Sequence, residues 1–71
     1  MSEKAIIKDR LKYVRKLNNV SQSEVANAVG ITKSAYSNYE QGTREPSLFI
    51  LVKLCNYFSV SADYLLGLKE L

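Results

Sequence analysis

This 71-residue chain contains no histidine, one cysteine, one proline and three glycines. Each shortage narrows what the chain can do. Without histidine, Cys55 has no obvious base to activate it, and no metal-ligand cluster or pair of carboxylates at useful spacing offers other catalytic chemistry. No enzyme activity, metal or cofactor is therefore expected. A lone cysteine forms no disulfide framework, and in an apolar run it reads as a small core residue, in keeping with an intracellular setting. No stretch approaches the roughly 20 apolar residues of a membrane span, and the opening MSEKAIIKDR is too charged for a signal peptide. The expectation is a soluble, cytoplasmic protein with no membrane partner.

What remains is a short, moderately apolar, basic chain. At 71 residues, 46% of them hydrophobic, there is room for one small domain over residues 1–71, with its core spanning 6–67. The net charge of +3 is compatible with nucleic acid without requiring it. Its arrangement says more: between Arg10 and Arg44 stand six basic residues (Arg10, Lys12, Arg15, Lys16, Lys33, Arg44) against Glu24 and Glu40.

The apolar spacing predicts an all-α fold. Ile7, Leu11, Val14 and Leu17 recur at helical period over residues 3–18, and Asn18-Asn19 closes that helix, since asparagine tolerates the left-handed conformation. Lys8, Lys12 and Lys16 read as its solvated side. Ser21 with Glu24 three residues on forms a capping box for a second helix that buries Val25, Ala26 and Val29. Gly30 suits the turn that follows. Thr32 caps a third helix on which Tyr36, Tyr39 and Glu40 share one side and Lys33, Ser34, Ser37, Asn38 and Gln41 the other. A carboxylate on the inner side requires a partner, because burying a lone charge is very costly. QGTREP is a loop, and Ser47 caps a fourth helix through Phe58. Leu48, Leu51, Leu54, Cys55 and Phe58 form its core face, while Phe49, Ile50, Val52 and Tyr57 make it apolar nearly all round. Ser61 caps a fifth helix, 62–66, that stops at Gly67.

Two short helices joined by a tight turn, the second carrying a row of short polar side chains, suit a DNA groove. With five helices placed, the chain resembles the Cro and phage-repressor type of helix-turn-helix domain, the XRE family. The resemblance runs from about Arg10 to Gly67. It is carried by Leu11, Val14 and Arg15, then SQSEVANAVGIT, SNYEQG with Pro46, and VSADYLLG. It implies a compact, lambda-repressor-like bundle of five short helices, with the helix-turn-helix at helices 2 and 3. It also supplies the missing partner, since Arg15 stands where similar domains pair an arginine with the glutamate at Glu40.

Position by position, the resemblance makes Lys33, Ser34 and Asn38 base-reading residues in the major groove, with Ser37 beside them. It makes Gln22 and Gln41 phosphate-holding residues, with Thr43 and Arg44 in a loop that follows the DNA backbone. The apolar residues around the fifth helix, Val60, Ala62, Tyr64 and Leu68, with Val52, Tyr57 and Leu71, fit the twofold interface of a homodimer in similar domains. The implied function is a repressor of phage or plasmid type on a near-palindromic operator, subject to a protein partner or anti-repressor. The alternative is an antitoxin or protein-interaction module on the same scaffold, for which the apolar shell of the fourth helix leaves room. The chain departs from the family at Asn19, where glycine is frequent, at Tyr36 and Tyr39, where aliphatic residues are common, and at Cys55, where alanine is usual.

Overall fold

Local capping chemistry divides this chain before any tertiary contact does. The computed structural model describes residues 3–71, with side chains from residue 6 onward. Five helices follow one another: α1 (Glu3–Leu17), α2 (Gln22–Val29), α3 (Lys33–Gln41), α4 (Leu48–Phe58) and α5 (Ala62–Leu65). The last four begin alike. The hydroxyls of Ser21, Thr32, Ser47 and Ser61 each accept a hydrogen bond from the backbone N–H three residues on, which satisfies an otherwise orphaned donor. At Ser21 the reciprocal bond from its own N–H to the Glu24 carboxylate, at 3.1 Å, completes the capping box.

All five helices also end alike. A left-handed residue, Asn19, Gly30, Gly42, Ser59 or Gly67, reverses the chain. The next residue then donates its N–H back to a carbonyl five positions earlier: Val20 to Arg15, Ile31 to Ala26, Thr43 to Asn38, Val60 to Cys55 and Leu68 to Asp63. Val20, Ile31 and Val60 also pack on the core, so in three of these turns the stop places an apolar residue. α1 ends one residue earlier than the spacing predicted, and so does α5. The left-handed Ser59 was not foreseen, because serine does not advertise positive φ as asparagine and glycine do.

Packing then sorts the helices. α3 lies against α1 and α2, α2 also meets α4, and α5 closes the end formed by α1 and α4. The centre is Leu11, Val25, Tyr36, Leu54 and Leu65, with Val14, Ala26, Val29, Cys55 and Phe58 around them. Ala26 of α2 is buried within this cluster. Two residues placed on core faces by their spacing are corrected: Leu17 is 58% exposed and Leu48 75% exposed. Both lie at the tip of a helix, where the stripe runs past the last element that covers it.

Two of the glycines face different constraints. Gly30 has φ +77° but open space around it, whereas at Gly67, φ +82°, a Cβ would lie 2.7 Å from Ile6 Cγ2. Gly30→Ala is expected to cost about 1–2 kcal/mol from the left-handed backbone alone. Gly67→Ala adds a clash and costs more, and Ile6→Ala recovers part of the difference. Chemical denaturation of the three variants checks this ordering.

Candidate nucleic-acid interface

A charged junction fixes α3 from its inner side. Glu40 is only 3% exposed, yet its carboxylate is fully engaged. Arg15 of α1 approaches it in a fork, Nε donating to Oε2 at 2.6 Å and Nη2 to Oε1 at 3.1 Å. The third arm of the guanidinium, Nη1, donates to the Val20 carbonyl at 3.0 Å, so one side chain ties α1, the turn before α2, and α3. From α2, Gln22 Nε2 donates to Glu40 Oε1 at 3.1 Å. Burial by itself raises the Glu40 pKa, but Arg15 above all, with the neighbouring Tyr36 hydroxyl and Gln22, outweighs it and holds the carboxyl below its ordinary value. The pair that Arg15 and Glu40 were expected to form is thus bidentate, with Gln22 added to it.

Tyr36 packs beside this junction with its ring edge-on to Tyr39. Its hydroxyl is buried, and no acceptor or donor meets it in hydrogen-bonding geometry. Burial first, and then the neighbouring Glu40 carboxylate, push the phenol pKa up, so it stays neutral. The hydroxyl therefore lies buried beside the Glu40 carboxylate.

With the inner face fastened, the outer face of α3 is free. Lys33, Ser34, Ser37, Asn38 and Gln41 line one shallow depression along it. Lys33 and Ser34 are exposed in the first turn, and Ser37 and Asn38 are half-buried one turn on. The four expected base-reading residues therefore share one surface. Gln41 Nε2 donates to Ser37 Oγ at 3.0 Å, which orients the serine hydroxyl from the next turn. The Asn38 carbonyl accepts from the N–H groups of Thr43 and Arg44 at 3.1 and 3.3 Å and from the Thr43 hydroxyl at 3.3 Å. The basic loop is hooked to the same residue whose side chain faces outward.

The expected phosphate residues divide. Gln41, Thr43 and Arg44 are exposed near the end of α3, whereas Gln22 is half-buried and committed through one N–H to Glu40. The expected interface residues divide as well. Ala62 and Leu68 are exposed and Val60 is half-buried, but Tyr64 is a core residue. Arg10 covers it, with the guanidinium 4.5 Å from the ring centroid, and donates to the Tyr64 carbonyl at 2.7 Å, the Lys69 carbonyl at 2.6 Å and Glu70 Oε2 at 2.9 Å. Arg10, counted from sequence as part of a basic stretch, is a structural tie, separated from its partners by more than fifty residues.

The geometry can be set beside known proteins. A helix-turn-helix family profile matches residues 11–65. The chain belongs to the XRE-type helix-turn-helix family. It is 46% identical over 62 residues to the HTH-type transcriptional regulator AnsR of Bacillus subtilis, covering 87% of this chain and 53% of that protein. It is 38% identical over 61 residues to the cryptic phage CTXphi transcriptional repressor RstR of Vibrio cholerae, covering 86% of this chain and 54% of that protein. The chain thus spans about half the length of these relatives. Among solved structures, the P22 c2 repressor in complex with synthetic operator 9T superposes with a TM-score of 0.84 at 28% identity, over 89% of this chain and 96% of that one.

Arg15→Ala is expected to destabilise the fold by about 3–5 kcal/mol, because it strands a buried carboxylate. A melting curve like that of the wild type would contradict this. Acid should act through the same group. With its folded pKa held below the unfolded reference of 4.5, Glu40 contributes stability that is complete above that value and is lost as pH falls through the folded one. In Glu40→Gln, less stable at neutral pH, that portion of the acid sensitivity disappears, as urea unfolding at pH 7 and pH 3 would register.

Proposed function

We propose that this domain is the sequence-specific DNA-binding module of a transcriptional regulator of repressor type, acting in the cytoplasm by binding rather than catalysis. The observation that carries the reading is the division of α3. One side is locked by Tyr36 and Glu40 into the core, while the other offers Lys33, Ser34, Ser37 and Asn38 together along one shallow surface depression. In the major groove, the Lys33 ammonium suits guanine acceptors, the Asn38 amide suits a bidentate pairing with adenine, and the serines suit single contacts or a thymine methyl. Gln41, Thr43 and Arg44 hold the DNA backbone beside them, and Gln22 contributes from the α2 side.

Double-stranded DNA is the partner of this reading, and the operator is near-palindromic because the module works as a homodimer. Ala62, Leu68 and Leu71 are exposed and Val60 half-buried on and around α5, which packs on α1 and α4. A twofold contact there would set two recognition helices about 34 Å apart, one turn of the duplex. Support for the DNA-binding part of the reading comes from the likeness to the P22 c2 repressor, whose structure was obtained in complex with a synthetic operator.

One observation favours a second reading. Leu48, Phe49 and Val52 form an exposed apolar strip on α4, with Phe49 82% exposed, as an antitoxin or partner-binding module would use. Salt separates the two. DNA binding should weaken with a log-log slope of about −0.9 per phosphate neutralised, whereas apolar docking should hardly respond.

Selection of bound duplexes from a random pool tests the reading. The wild type should enrich a near-palindrome, and Lys33→Ala and Asn38→Ala should each lose about 1–3 kcal/mol and relax one position per half-site. A wild type that enriches nothing, or variants that keep every preference, would refute it.

A further inference from the structure

The spacing of α1 assigns Lys8 to its solvated side, but the fold gives it a different place. Lys8 is half-buried, because its side chain lies across Gly42, where α3 ends. A Cβ at Gly42 would sit 2.9 Å from Lys8 Cδ and 3.8 Å from Cε, so the aliphatic stem fills the space that a side chain there would need. The glycine serves two purposes: φ +80° for the helix stop and clearance for a lysine from another helix. The ammonium is one bond beyond Cε. It is therefore delivered to the start of the loop that Asn38 hooks back through the Thr43 and Arg44 N–H groups.

That position is electrostatically distinct from the rest of α1. The C-terminal end of α3 presents carbonyl oxygens, and a cation is stabilised there. Beyond it stand Thr43 and Arg44, both exposed. A lysine whose stem is packed has already lost much of its rotamer freedom, so holding an anion costs it less than it would cost a free surface lysine. Lys12, one turn further along α1, lacks this setting: it is exposed and lines a surface depression with Asp9, Tyr13 and Lys16.

We propose that Lys8 is a phosphate-binding residue of the DNA interface, carried from α1 across Gly42 to act beside Thr43 and Arg44. The proposal rests on the DNA-binding reading above and extends the interface to a helix outside the helix-turn-helix. It assigns Lys8 affinity and no base preference, since a phosphate contact carries no sequence information.

The test is the salt dependence of binding, measured by fluorescence anisotropy on a duplex enriched by the wild type and on a scrambled duplex, between 50 and 300 mM NaCl, as suggested by the steepness of counterion release over about this range. Lys8→Met keeps an unbranched stem over Gly42 and removes the charge, so melting should change little. Its log-log slope should be shallower than that of the wild type by about 0.9, with similar weakening on both duplexes. Lys8→Arg should restore the slope, and Lys12→Met should leave it unchanged. A Lys8→Met slope equal to that of the wild type overturns the proposal, whatever its stability, and so does a loss confined to the enriched duplex. A wild type that binds neither duplex removes the DNA-binding reading itself, an outcome distinct from an unchanged slope in the variant.

Discussion

Glu40 is the one charged residue among the described residues that the fold buries, and the position of α3 depends on how that charge is answered. A carboxylate out of water costs several kcal/mol unless it is paired and hydrogen-bonded. Here the cost is offset only in one arrangement: Arg15 presented in a fork from α1, Gln22 from α2, and α3 at the register that brings Glu40 between them. Leucines and valines at the interface would hold the helix nearly as well in neighbouring registers, because apolar contact is non-directional. The ion pair is directional. It turns a small, forgiving core into one that presents Lys33, Ser34, Ser37 and Asn38 at a fixed height and angle.

The helix ends do the rest of the positioning. Four hydroxyl caps and five left-handed stops keep the links short, so α3 is bounded by the Thr32 cap on one side and the Gly42 stop on the other. The loop after it is also ordered from within, through three donors to the Asn38 carbonyl. The outer face of α3 and the loop after it therefore share one support. Midway along α1, Arg10 joins Tyr64, Lys69 and Glu70, so the two arginines of α1 both work as ties, one to α3 and one to the C-terminal residues.

Much of this was legible in the sequence because it rests on short-range chemistry. Ser21 with Glu24, Thr32, Gly30 and Gly42 announce their roles through residue type and spacing, and the division of α3 follows from a helical projection. The need for a partner at Glu40 was legible too, although the partner came only from the family resemblance. What escaped was set by distance along the chain or by the reach of packing. Leu17 and Leu48 continue an apolar stripe past the element that covers it. Tyr64 resembles an interface residue until Arg10, 54 positions away, is placed over its ring. Lys8 looks solvated on a helix drawn alone, and its contact with Gly42 exists only once α1 and α3 have packed.

The central claim is that the Arg15–Glu40 tie is coupled, with each residue there to answer the other. A double-mutant cycle of Arg15→Met and Glu40→Met, followed by chemical denaturation, measures this directly. The account predicts strong non-additivity: each single variant strands the partner's charge, buried at Glu40 and half-buried at Arg15, while the double variant strands none and is destabilised by about 0.5–3 kcal/mol less than the sum of the singles. Additive losses would contradict it, and would mean that Glu40 is accommodated by something other than Arg15.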